Sequence, residues 1–296
     1  MTKLLATLSL VAALAVLAAG CGSSSSSSSS SAETGAGAEG ESTTASAAEC
    51  TPGKLPTVSE GVLTIATDKP AYPPYFEHDE PANGEGFESA VAYAIANELG
   101  YPKAKVKWTV EPFDSSYAPG EKHFDFDVNE ISITPARAKV VDFSVPYYKA
   151  NQAVVALDGS AAAKAKSLAE LKDTTIGVQI NTTSLSAVEE EIEPSSKPQV
   201  FNNSNDVVTA LKNGQVEAVV VDLPTALYLT AAQVENATVV GQFGKASGEE
   251  WGALLGKESP LTGCVSEAIE SLEASGELEN ITQRWMSQAA EAPQLH

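Results

Sequence analysis

The residues best equipped for chemistry lie between His123 and Lys149, in HFDFDVNEISITPARAKVVDFSVPYYK. Ser132 and Thr134 supply hydroxyls, and Arg137 a guanidinium. Pro135 suits the first turn of a helix, where its missing N–H is not needed. Hydroxyls, the N–H groups of a helix start and a guanidinium fork therefore converge on a short segment. Together they suit a carboxylate, because the fork can bind both of its oxygens at once. The alternative is a surface helix start with one solvated arginine.

Other stretches carry groups of related use. Asn181-Thr182-Thr183 puts hydroxyls at a helix start, where they cap some N–H groups and leave others for a carboxylate oxygen. Asp222 ends the apolar run VEAVVV, Val216–Val221. A carboxylate there costs free energy unless it is paired; its other use is to cap a helix over Pro224–Thr230. The strand GVLTIAT (Gly61–Thr67) ends in Asp68 and the proline-rich loop holding Tyr72. Such a loop is rigid and can hold an aromatic ring outside the carboxyl end of a strand, where open α/β sheets bind ligands. Tyr72 serves equally as a core-edge ring, and Asp68 as a turn cap.

Alternating strands and periodic helices must position these groups. Phe124, Phe126 and Val128 alternate with Asp125, Asp127 and Asn129, which predicts a strand. Phe87, Val91, Ile95 and Leu99 recur at steps of four up to Gly100, which predicts a helix packed on a sheet. Val106–Val110 and Thr175–Gln179 read as strands, Ser204–Gly214 as a capped helix, and Ser259–Met286 as closing helices. The interleaving of the two element types is that of an α/β protein.

With 296 residues and a net charge of −21, the chain has room for two lobes and no basic patch to neutralise phosphates, so nucleic acid is excluded as a partner. Lys3 and the apolar run Leu4–Leu17 read as an export signal (1–20). Ala18, Ala19 and Gly20 before Cys21 resemble a lipobox with Leu17 one place early, which implies lipidation of Cys21; an ordinary cleaved signal with an incidental cysteine is the alternative. Residues 21–53 lack large apolar side chains after Cys21 apart from their last few positions and read as a tether. In an oxidising compartment Cys50 and Cys264 read as a disulfide rather than two buried thiols. His78, His123 and His296 are scattered, and no metal is expected.

The run ISITPARAKVVDFSVPYY resembles the signature of the bacterial extracellular solute-binding proteins of family 3, the polar amino-acid receptors of ABC importers. The likeness extends from about Gly61 to Met286. It implies an α/β, two-lobed, periplasmic-binding-protein-like (type II) fold with two crossing segments. Lobe 1 is then 54–148 plus 249–296, and lobe 2 is 149–248. It also implies that Arg137, Ser132 and Thr183 hold a ligand's α-carboxylate, that Asp222 holds its α-ammonium, and that Tyr72 and Phe113 grip its stem. Asp68 and Gln179 match positions that read the side chain. Glu130 stands where relatives often have Gly or Ser; its carboxylate reaches the ligand or points to solvent. Three departures stand out. Asn181 replaces a Gly, Glu88-Ser89-Ala90 alters an acidic pattern expected to concern packing, and Tyr117-Ala-Pro-Gly replaces a helix next to Phe113.

The implied partners are a polar or cationic L-amino acid and a membrane permease, with no cofactor and a monomeric chain. The permease system supplies ATP hydrolysis, since this sequence has no phosphate-binding loop. The implied place is the outer face of the cytoplasmic membrane, by a lipid anchor. A periplasmic dehydratase on the same fold, with Glu130 as its acid, is the alternative function; an exported sensor domain is a third.

Overall fold

The computed structural model describes residues 50–51, 55–244, 248–286 and 292–296. The export signal, Cys21 and the tether before Cys50 lie outside the described residues. Strands β1 (Leu63–Thr67), β2 (Val106–Val110), β3 (Phe126–Asp127), β4 (Val141–Ala150) and β10 (Glu249–Gly256) form one sheet, in the order β2-β1-β3-β10-β4. Strands β5 (Gln152–Leu157), β6 (Ile176–Gln179), β7 (Gln199–Phe201), β8 (Ala218–Asp222) and β9 (Ala237–Phe243) form a second, in the order β7-β6-β8-β5-β9. β1 pairs in parallel with β2 and β3, and β6 with β7 and β8, whereas β10 pairs antiparallel with β3 and β4, and β5 with β8 and β9. Each sheet with its helices makes one lobe. The chain passes from the first to the second at Asn151, between β4 and β5, and returns between β9 and β10.

The first lobe is built on α1 (Phe87–Glu98), whose Phe87, Val91 and Ile95 are fully buried as their spacing predicts. They share a core with Leu63, Ile65, Trp251 and the inner faces of the two closing helices. A one-turn helix, α2 (Phe113–Ser116), follows β2. Gly86 starts α1 at φ 100°, and a Cβ there would stand 2.3 Å from the Tyr75 carbonyl oxygen, so only glycine fits. The alternation over 124–128 does not mark a solvated face, because Asp125 and Asp127 are buried too. Asp125 accepts the N–H groups of Val58 at 2.8 Å and Thr64 at 2.6 Å.

The second sheet is covered on both faces. In β5, Val154 and Ala156 join one core while Ala153 and Val155 join the other, which is the period of two expected of a strand buried on both sides. Helix α3 (Thr183–Ala187), continued by a π-helical turn to Ile192, packs on one face. Helices α4 (Ser204–Lys212) and α5 (Leu223–Tyr228) pack on the other. Helices α6 (Thr262–Ser275) and α7 (Glu277–Met286) return to the first lobe, where Cys264 of α6 is bonded to Cys50.

Two local readings change. The helix start expected at Pro135 is a three-residue 3₁₀ turn, Arg137–Lys139, too short to present an aligned dipole. The tail, expected with lobe 1, has its described residues 292–296 on the second sheet. Pro293 and Leu295 exchange backbone hydrogen bonds with Gln242 of edge strand β9, and Leu295 is buried in that lobe's core. The tail thus covers part of an edge that would otherwise be open to another chain.

Candidate functional site

Asp68, Tyr72, Phe113, Glu130, Ser132, Arg137, Gln179, Thr183 and Asp222 all line a cavity of about 420 Å³ between the two sheets. Residues distant in sequence meet there because β1, β6 and β8 end at the same cleft. Both lobes close on it. Tyr75 and Thr225 hydroxyls are 2.8 Å apart, and Ser132 and Thr183 hydroxyls 3.4 Å apart.

Arg137 is 8% exposed. It donates from Nη1 to the Ser132 carbonyl at 2.9 Å and from Nη2 to the Asn181 carbonyl of the other lobe at 3.0 Å. Its guanidinium stacks on Tyr117 at 4.6 Å and Phe113 at 5.3 Å. Phe113 therefore serves as a platform for the arginine as well as a wall. Tyr117 comes from the segment that replaces a helix in the resemblance; its hydroxyl also donates to the Asn181 carbonyl, at 3.4 Å.

On the second lobe, Thr182 caps α3 by accepting the Leu185 N–H at 3.1 Å, which leaves the Thr183 hydroxyl for the cleft. Asp222 precedes α5 but its side chain makes no capping hydrogen bond. It accepts instead from Gln152 Nε2 at 2.7 Å. Ser184 donates to Gln152 Oε1 at 2.6 Å, which orients the amide so that Nε2 faces Asp222 and Glu249. Burial, and then the charge of Glu249, push the Asp222 carboxyl up to about 8. Gln179 accepts from the Ser204 hydroxyl at 2.7 Å.

Asp68 does cap its turn, accepting the N–H of Lys69 at 2.6 Å and of Phe113 at 3.3 Å, and so also sets where Phe113 stands. Tyr72 brings a buried hydroxyl without a protein partner to the cavity wall, as Asn129 brings an unpaired amide N–H group. Glu130 and Asn181 occupy left-handed backbone, at φ 48° and 61°, where the resemblance expects small residues or glycine. The Glu130 N–H donates to Glu88 Oε1 at 2.7 Å, so the Glu88 position concerns the site and not packing alone. Sequence reasoning missed Tyr75, Gln152 and Glu249, and it flagged Glu88 and Tyr117 only as departures from the family pattern, without their roles at the site. Of the three missed, Gln152 carried a legible signal, a polar residue heading the apolar strand QAVVAL.

Residues 63–288 match the family described as bacterial extracellular solute-binding proteins, family 3. The chain belongs to that family. Among family relatives, the arginine-binding extracellular protein ArtP of Bacillus subtilis is 30% identical over 217 residues, covering 72% of this chain and 82% of the relative. An ancestral arginine-binding protein bound to glutamine superposes with a TM-score of 0.64 at 32% identity, over 77% of this chain and 99% of the other. An ancestral amino acid-binding protein, a precursor of cyclohexadienyl dehydratase, superposes with a TM-score of 0.63 at 30% identity, over 76% and 95%. The two-lobed fold of this family member is accordingly the type II periplasmic-binding-protein-like one.

Proposed function

We infer that this chain is the substrate-binding receptor of an amino-acid ABC importer and that its ligand is a cationic L-amino acid, arginine first among the candidates. The charge of the cavity carries the inference. Asp68, Asp114, Glu130 and Asp222 line it with Arg137 and Lys69, and Lys69 is turned to Asp79 at 3.3 Å. A ligand with one carboxylate and two cationic groups suits that wall, giving its acids cations to ionise against, whereas an acidic ligand adds a second carboxylate to it.

In this reading Arg137, Ser132 and Thr183 take the α-carboxylate and Asp222 the α-ammonium. Tyr72 and Phe113 hold the stem, and Asp68, Glu130 and Gln179 read the side chain. Because Arg137 and Asp222 belong to different lobes, the ligand favours the closed arrangement over an open one, and closure is a shift of population. The closed receptor then docks on its permease as a monomer. Lipidation of Cys21 holds it at the outer face of the membrane, and the lobes divide near 149 and 249. The arginine-binding relatives support the ligand class.

A dehydratase reading draws on Glu130, a carboxyl open to the cavity and raised well above its usual range, and on the dehydratase-precursor neighbour. A prephenate-like dianion would meet the same acidic wall, which weighs against it. A thermal-shift screen of the twenty amino acids followed by calorimetric titration tests both: arginine or lysine is expected to give the largest shift. A largest shift from aspartate or glutamate, or turnover of prephenate, would overturn the receptor reading.

A further inference from the structure

Under the cavity, two carboxyl groups meet with no cation between them. Glu88 in the first turn of α1 is fully buried, and its Oε1 accepts both the Glu130 N–H at 2.7 Å and the Tyr147 hydroxyl. Its Oε2 is buried and has no hydrogen-bond partner. The bond from the Glu130 N–H places the two residues side by side, and their carboxyl groups shift each other's titration. Two carboxylates repel and cannot hydrogen-bond; an acid and a carboxylate can, so the pair holds one proton. Burial and the Glu88 charge hold the Glu130 carboxyl well above its usual range. Asp222 and Asp68 act the same way on Glu130 from the cavity, Asp127 adds a further carboxyl behind Glu88, and the Tyr147 hydroxyl, by donating to Glu88, favours Glu88 as the charged member of the pair; Tyr75 faces Glu130 as a neutral phenol. Arg137 is turned to the Ser132 and Asn181 carbonyls. Glu130 keeps part of its surface open to the cavity and holds a backbone conformation that a residue with a Cβ adopts only at a cost.

We propose that Glu130 is the side-chain specificity residue of this site and that it works by proton exchange. With a neutral ligand the Glu88–Glu130 pair keeps its proton. A cationic side chain displaces it: the acid's O–H bond breaks, the proton leaves to water, and the ligand's charge takes its place. This rests on the receptor reading above.

The test is calorimetric titration of the wild-type chain and Glu130→Gln with L-arginine and L-glutamine, each in phosphate and in Tris buffer, so that buffer ionisation heat counts the protons released. Asp222 responds to the α-ammonium, which both ligands share, so its contribution cancels between variants. Arginine is expected to release about one proton more from the wild type than from Glu130→Gln, and to lose about tenfold or more in affinity in the variant. Glutamine, where it binds, is expected to show no such difference. Glu130→Ser, which also removes the carboxyl, is a second variant that should behave as Glu130→Gln does. Equal proton release by arginine from wild type and both variants would overturn the proposal while leaving the receptor reading intact. Absence of binding by every amino acid would overturn the receptor reading and the proposal with it.

Discussion

Asp222 and Arg137 pose opposite problems for the empty site. The carboxyl is held near 8 by burial and by Glu249, and the guanidinium is buried between aromatic rings. Each is costly to bury alone and, in the proposed function, is relieved by the oppositely charged end of an amino acid. Asp222→Ala and Arg137→Ala should each weaken amino-acid binding by about 2–5 kcal/mol, read by titration, while circular dichroism shows the fold retained. The proton on Asp222 also sets a pH dependence. Its folded value lies above its unfolded one, so this group favours the empty fold at acid pH and that contribution drains away as pH rises from about 4 towards 8. Glu88, Glu130, Asp127 and Asp68 are raised in the same direction by burial. The melting temperature of the ligand-free protein should therefore fall between pH 5 and pH 8, and the rise produced by ligand should grow over the same interval. A ligand-free melting temperature that climbs over that range would contradict the buried acids.

The elements that carry the site are held by close backbone contacts. Gly86 lets α1 start against the Tyr75 carbonyl, and α1 in turn carries Glu88 beneath Glu130. Gly86→Ala should destabilise the protein by at least about 1 kcal/mol in chemical denaturation, since it combines a left-handed φ with a clash against backbone. Gln152, at the head of β5, plays a matching part in the second lobe: Ser184 fixes its amide and the amide holds Asp222. Helix α6 is tied to β4 through Asp142, which accepts from Lys257 at 2.9 Å and Thr262 at 3.3 Å.

Across the molecule, the covalent and non-covalent ties do different work. The Cys50–Cys264 bond joins the start of the first lobe to α6, and neither cysteine lines the cavity. Cys50→Ser with Cys264→Ser should cost about 3–5 kcal/mol of stability, by the loop-closure account, with amino-acid affinity unchanged. Among the described residues the lobes meet through polar contacts, Arg137 and Tyr117 to Asn181, Tyr75 to Thr225, Ser132 to Thr183 and Gln152 to Glu249. That suits a hinge whose closed state a ligand is to favour, because a large apolar interface would hold it shut in the ligand's absence.

Much of this was legible from local patterns. Steps of four named the buried face of α1, the apolar run before Asp222 named β8, and the hydroxyls at 182–183 named the start of α3, because each depends on neighbours in sequence. The nine candidate residues were named from the family resemblance on local motifs, and all nine line one cavity. Contacts between elements were not legible. That Tyr117 stacks on Arg137, that Glu88 lies under Glu130, and that the tail crosses to β9 depend on which segments the fold brings together. The protonation of the buried acids was hidden for the same reason: a carboxylate's charge is set by burial and by the charges around it, and these arise only when distant parts of the chain have packed.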